Sequence, residues 1–311
     1  MELIKSPLNY TGNKFRILEQ LLKYFPNNID FMIDLFCGGA TVGLNTPCNK
    51  VAFVDKDPRI INLLSFLSKK DFKILLSDLE KLTQKFYLSN SFRNGYALYR
   101  SYSKNKSDNN GLKEFNKRGY YILRETYNLL LDKSTDQANT MLYLLMLYSF
   151  NNDIRFNAKG EFNLPVGKTD LNKINVDKLK LFMEKTKNLD SDFLCADYNS
   201  SVVMELINKS DFVYMDPPYL VGDAVYNASW NKIEELRLLK FIDLFIENKK
   251  NFALSNVISK VNMINVPLQD WCEKNHNDLS IYTINYNYKS ASYHKIIRDA
   301  QEKEVLITNR R

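Results

Sequence analysis

The chain opens with apolar runs of strand length set between turn and helix signals. Asp30-Phe-Met-Ile-Asp-Leu-Phe36 predicts a buried strand that ends at Cys37-Gly38-Gly39 and leads into a short helix. Val51-Ala-Phe-Val54 predicts a second strand, after which Asp55-Lys-Asp-Pro58 opens a helix to about Lys70. The pattern then changes. From about residue 71 to 190 the chain is mostly helical and polar, with an exposed loop at Ser103–Gly111. Near the end of this stretch, the turn Asn157-Ala-Lys-Gly160 separates Ile154-Arg-Phe156 from Glu161-Phe-Asn-Leu164, which predicts a β-hairpin. Strand–helix alternation resumes at Asp192-Phe-Leu-Cys195. Further strands are expected at Phe212–Met215, Asn251–Ser255, about Leu279–Asn285 and Glu304–Thr308, with helices near 200–208, 232–248 and 266–275.

A β-α-β-α beginning that resumes after a long interruption describes an α/β fold. The expected architecture is a Rossmann-like, doubly wound, mixed seven-stranded sheet. Residues 1–70 and 191–311 form the sheet domain, and 71–190 form a mainly helical inserted domain carrying the hairpin near 150–168. No internal repeat is evident.

Composition narrows the class. An apolar fraction of 45% and a charged fraction of 25% are ordinary for a soluble globular protein. The net charge of +7 is uneven: residues 69–133 carry 14 Lys/Arg against 7 Asp/Glu, an excess of 14 − 7 = +7. Seven tyrosines (87, 96, 99, 102, 120, 121 and 127) lie among them, a mixture that suits a nucleic-acid surface and equally suits solvated helix faces. Four cysteines without close pairs and two histidines argue against a disulfide framework or a metal centre. The N-terminus lacks the apolar core of a signal peptide, and no run reaches the ~18–20 apolar residues of a membrane span. A reduced, cytosolic location is expected.

The chemistry concentrates at Asp216-Pro217-Pro218-Tyr219, directly after the apolar run Asp211–Met215. An amino group on an aromatic base is a poor nucleophile, because its lone pair is delocalised into the ring. A carboxylate and a backbone carbonyl that both accept its N–H bonds favour a pyramidal nitrogen with a localised lone pair. Asp216 supplies the carboxylate, Pro217 a carbonyl on a stiff backbone, and Tyr219 a face on which an extruded base stacks. Asp and Pro are also ordinary turn residues. Tyr226 and Trp230, in the loop that follows, are candidates for the pocket entry or for core.

A second constellation points to a cofactor. Asp34-Leu-Phe36-Cys-Gly38-Gly39 stands at a strand-to-helix turn where glycines admit a close ligand. Asp55, at the end of the next strand, occupies the position of a ribose-binding acid. The full phosphate-binding glycine fingerprint is absent, which favours a cofactor with ribose but no pyrophosphate. Asp197, followed by Tyr198, is suited to a cofactor amino group and equally to a helix cap. Tyr10, Gly12 and Lys14 form a turn near the N-terminus, with Lys14 suited to a cofactor carboxylate. Together these residues favour S-adenosylmethionine, with no metal.

These motifs, with Ser255-Asn256 and the closing Glu304–Asn309, make the chain resemble the Dam-type DNA adenine-N6 methyltransferases, including phage-encoded members. The motif order resembles the α group, in which the target-recognition domain falls where the insert lies here. The resemblance implies double-stranded DNA as substrate, base flipping of an adenine, and a bacterial or phage source. It further implies that Arg155 on the hairpin reads a guanine, with Asn151, Asp153, Asn157 and Pro165 as further DNA contacts. A restriction endonuclease acting on the same site is a candidate partner. GATC-methylating members commonly carry Lys where this chain has Asn9, and Gly-Leu where it has Asn152-Asp153, so the target sequence stays open. Rival activities are a cytosine-N4 or RNA adenine methyltransferase and a catalytically silent DNA-binding module.

Overall fold

The apolar runs marked as strands pair into one sheet. The computed structural model describes residues 3–10, 12–100, 110–221, 230–260, 263–284 and 302–309. In chain order these begin with α1 (Leu18–Leu22), β1 (Phe31–Leu35), α2 (Thr41–Asn45) and β2 (Lys50–Asp55). Helices follow: α3 (Pro58–Lys69), α4 (Phe72–Lys85), α5 (Ser91–Asn94), α6 (Tyr96–Arg100), α7 (Lys113–Asn128), α8 (Asp136–Tyr148) and α9 (Lys173–Asn188). Alternation resumes with β3 (Asp190–Cys195), α10 (Ser201–Lys209), β4 (Phe212–Met215), α11 (Lys232–Glu247) and β5 (Asn251–Lys260). β6 (Met263–Ile264), α12 (Val266–Lys274), β7 (Leu279–Thr283) and β8 (Glu302–Asn309) complete the chain.

The sheet runs β3-β2-β1-β4-β5-β8-β7, the seven expected strands, with the short β6 added beside β5. β6 is two exposed residues, too short to show a periodicity. β1 pairs in parallel with β2 on one side and β4 on the other, and β4 in parallel with β5. β8 runs antiparallel to β5 and β7, which makes the sheet mixed. Strand order reverses between β1 and β4. In open α/β sheets such a reversal leaves a crevice at the carboxyl ends of the strands. Ile33, Leu35, Val54, Val213, Met215 and Leu254 on one sheet face pack with α11 and α12 through Ile242, Phe245 and Leu268. Burying side chains of this size contributes roughly 1.5–3 kcal/mol each.

Two compact units result: Met1–Asn13 with Asp57–Phe193, and Lys14–Lys56 with Leu194–Arg311. The helical unit begins at Asp57, ahead of the start at residue 71 expected from the sequence. α3 buries Ile60, Ile61, Leu63, Leu64, Phe66 and Leu67 and packs against α8 and α9. Every residue of α8 from Ala138 to Tyr148 is buried, with α3, α4 and α7 packed on it, as expected for a helix that is apolar on all sides. Tyr99, Tyr120 and Tyr127 belong to this core, so part of the tyrosine-rich stretch is packing rather than surface. Among the described residues, no helix is long and apolar enough to cross a membrane.

Candidate active site and recognition hairpin

The strand ends at the sheet reversal shape the first part of the site. After β1 the backbone turns through Phe36 (φ 63°), Gly38 (φ 46°) and Ala40 (φ 62°). Gly38 adopts this left-handed conformation freely, whereas Phe36 and Ala40 each cost on the order of 1 kcal/mol or more. Two acidic side chains hold the turn. Gly38 N–H donates to Asp55 Oδ2 at 3.0 Å, and Gly43 N–H donates to Asp34 Oδ2 at 2.8 Å. A Cβ on Gly43 would stand 2.6 Å from Phe53 Cε1 and 3.0 Å from Asp34 Oδ2, so α2 lies this close only because residue 43 is glycine. Burial pushes the Asp34 carboxyl up to about 8; the Gly43 N–H opposes this, and the charges of Asp216 and Asp55 add to it.

Beside this turn, Phe36, Asp55, Asp197 and Tyr198 meet Trp230 and Glu234 around an open hollow. Phe36 packs on Tyr198 with ring centroids 5.2 Å apart and meets Trp230 edge-on at 6.0 Å. The buried hydroxyls of Tyr198 and, in the adjoining turn, Thr41 have no hydrogen-bond partner among the described residues. Carboxylates at the rim, aromatic walls and orphaned hydroxyls suit a nucleoside-bearing ligand, and the set fits the adenosine part of S-adenosylmethionine. Four expected cofactor residues thus converge here, while Asp34, Gly38 and Gly39 build the turn. Tyr10 and Gly12 belong to the helical unit, where Tyr10 O accepts from Asn13 N at 3.2 Å. Glu234 carried no sequence signal, since an acid in the first turn of a helix is ordinary. Tyr226 lies outside the described residues.

The tetrapeptide stands at the next strand end. Lys14 Nζ lies 3.1 Å from Asp216 Oδ1 and 3.5 Å from Glu304 Oε1, where a cofactor carboxylate had been its expected partner. Tyr219 OH donates to the same Asp216 oxygen at 2.8 Å, with Glu304 Oε1 at 3.4 Å. Lys14 Nζ also sits 4.9 Å from the Tyr219 ring centroid. Burial opposes the Lys14 charge, but Asp216 and Glu304 outweigh it and raise its pKa. Burial raises the Asp216 carboxyl above its ordinary value, against the pull of Lys14 and Tyr219. Glu304 was legible as the start of the closing strand and motif, but not as a partner of Lys14 and Tyr219. Among the described residues no cluster of His, Cys, Asp and Glu is suited to hold a metal.

The helical unit carries the hairpin. Bridges at Ser149–Val166 and Phe156–Phe162 define it, and the turn closes by Gly160 N to Asn157 O at 2.9 Å. Asn157 N donates to Glu161 O and Asn163 N to Arg155 O across the hairpin, and one arm is also bonded by helix side chains. Tyr120 OH and Arg124 Nη1 donate to Leu164 O, and Asn128 both donates to Phe162 O and accepts from Phe162 N. These residues stand four apart on one face of α7. Arg155 Nε donates to Asn163 Oδ1 at 2.9 Å. Asn157 accepts from Lys159 N and Glu161 N and donates to Glu161, so its side chain builds the turn. Asp153 Oδ1 accepts from Ile154 N, while Asn151 and Pro165 are exposed. Asn151 and Asn152 are both left-handed (φ 59° and 54°), and Asn152 Nδ2 donates to Leu147 O and Thr169 Oγ1.

Known proteins match this arrangement along the chain. The family model for the D12 class N6 adenine-specific DNA methyltransferase matches residues 10–301. The type II methyltransferase M.FokI of Planomicrobium okeanokoites is 31% identical over 314 aligned residues, covering 98% of this chain and 43% of the relative. Modification methylase StsI of Streptococcus sanguinis is 31% identical with the same coverage. The DNA adenine methylase of Haemophilus influenzae is 27% identical over 68% of this chain and 63% of its own length. The chain spans less than half the length of the first two relatives. With the family model covering nearly its whole length, this chain belongs to the D12 class N6 adenine-specific DNA methyltransferase family.

Proposed function

We propose that the chain transfers a methyl group to N6 of an adenine flipped out of duplex DNA. The observation that carries this reading is the setting of Asp216. Lys14 and Tyr219 both engage Oδ1, which leaves Oδ2 to accept an amino N–H of the target base. The Pro217 carbonyl, on the same turn, is the second acceptor, and the Tyr219 ring is the stacking surface for the base. Accepting both N–H bonds localises the nitrogen lone pair. Bound S-adenosylmethionine supplies an electrophilic methyl group. Asp55 is suited to its ribose hydroxyls and Asp197 to its adenine amino group, while Phe36, Tyr198 and Trp230 wall the adenosine. The reaction then rests on positioning and electrostatic preorganisation.

The helical unit serves DNA recognition in this reading. Arg155 is the residue for guanine O6 and N7, with Asn151, Asp153 and Pro165 beside it. Asn157 contributes by holding the turn. Relatives named as type II and modification methylases support a role in protecting DNA against a nuclease that cuts the same site.

Incubation of the purified chain with S-adenosylmethionine and unmethylated DNA, followed by digestion to nucleosides and mass analysis, tests the assignment. N6-methyladenine is expected, and Asp216→Ala abolishes it while retaining cofactor binding. N4-methylcytosine, or near-normal methylation by Asp216→Ala, overturns the reading.

A further inference from the structure

Glu235, in the first turn of α11, has a fully buried side chain (0% exposed) that belongs neither to the tetrapeptide cluster nor to the lining of the hollow. Its Oε2 accepts from Trp230 Nε1 at 2.6 Å, and its Oε1 accepts from Asn256 Nδ2 at 3.0 Å and Asn265 Nδ2 at 2.8 Å. All three partners are neutral donors. A carboxylate survives such burial only when its oxygens are well satisfied. Two of the donors are themselves fixed: Asn256 Oδ1 accepts from Val257 N, and Asn265 Oδ1 accepts from Leu268 N as the cap of α12. Both asparagines are buried. Of the three partners, only Trp230 faces the hollow.

An indole N–H is a donor alone, and a buried one needs an acceptor. Any carbonyl would satisfy it. A carboxylate clamped on its far oxygen by two asparagines does more, because its near oxygen cannot follow the indole if the ring tilts. Charge assistance shortens and strengthens the bond. Trp230 is 7% exposed and meets Phe36 at 86°, so a small tilt would change both the wall of the hollow and the contact with the left-handed turn.

We propose that Glu235 is a positioning residue for cofactor binding, acting through Trp230 to fix the indole as the wall against the adenosine part of the ligand. This rests on reading the hollow as the S-adenosylmethionine site. Glu235→Gln conserves shape but turns one oxygen into a donor. With its nitrogen toward the indole, the indole N–H loses its acceptor; with its nitrogen toward the asparagines, the clamp is lost and the oxygen facing the indole is no longer fixed.

The chain has two tryptophans, so Trp271→Phe makes Trp230 the sole indole reporter. In this full-length background, titration with S-adenosylmethionine and with adenosine is followed by Trp230 fluorescence and by calorimetry. Glu235→Gln is expected to weaken both ligands about tenfold or more, to lose most of the fluorescence response, and to raise the cofactor KM more than it lowers kcat. In a Trp230→Phe background, the same change is expected to leave cofactor affinity within about twofold. Equal losses in both backgrounds, or unchanged affinity in folded Glu235→Gln, overturn the inference while the proposed activity stands. Failure of the parent chain to bind S-adenosylmethionine defeats the reading of the hollow and the inference with it. Should Glu235→Gln not fold, Glu235→Asp, which withdraws the charge by one methylene, is judged by the same outcomes.

Discussion

The ammonium of Lys14 and the carboxylate of Asp216 form a largely buried ion pair at 3.1 Å, joining a short turn near the N-terminus to the strand end that carries the tetrapeptide. Removing the cation leaves a partly buried carboxylate without its charge partner. Lys14→Met is expected to lose on the order of 3 kcal/mol of stability in urea denaturation. Methyl transfer falls about 100-fold at saturating cofactor. A double-mutant cycle with Asp216→Asn should recover part of the stability loss, and strict additivity would refute coupling of the pair.

Asp34 yields a pH prediction. Its carboxyl is held up to about 8, chiefly by burial, against an ordinary value of 3.8. Between those values the native state holds a proton that the unfolded chain has released. This group therefore lowers stability as pH rises from about 4 to about 8, by at most about 1.4 kcal/mol per pH unit. Asp34→Asn cannot titrate and keeps an acceptor for Gly43 N–H. Denaturation midpoints across this range should fall less steeply for the variant than for the parent, and parallel curves would refute the assignment.

The shoulder of the hairpin gives a third test. Asn9 Nδ2 donates to Asn151 O at 2.5 Å, and the next residue, Asn152, is left-handed with both amide hydrogens engaged. Asn152→Gly loses these bonds but relieves the backbone, and should stay within about 1 kcal/mol of the parent. Asn152→Val loses the bonds and keeps the strain, for a loss of about 2–3 kcal/mol. Similar thermal denaturation midpoints for the two variants would contradict this.

Recognition can be probed from two sides. Arg155→Ala should relax discrimination at one guanine of the target, by about 1–3 kcal/mol in competition assays with substituted duplexes. Asn128→Ala frees the Phe162 arm of the hairpin and should raise the KM for DNA more than the KM for cofactor. A uniform loss of activity on all sequences after Arg155→Ala would show that this residue contacts phosphate instead.

Much of the fold was legible because strands flanked by helices are buried on both faces and read as short apolar runs. Phe31–Leu35, Val51–Val54 and Phe212–Met215 are of this kind. β6 and the partnership of the hairpin with α7 were not legible. The first is too short to show a period, and the second depends on three helix side chains spaced four apart, which resemble any solvated face. The place of α3 was hidden for a related reason. Its apolar stripe shows that it packs, but not on what.

By itself the sequence determined the residue types at each strand end: an acid and two prolines after β4, glycines after β1, an acid closing β2 and another after β3. These are local properties of residue type and backbone freedom, carried by a few adjacent positions. Only the tertiary structure decided partnerships. Lys14 turned to Asp216 and Glu304, Asp34 to Gly43, and Glu235 to Trp230. The physical reason is that a buried charge or N–H must be satisfied by whatever lies within about 3 Å. Strand order sets that neighbourhood, and spacing along the chain does not.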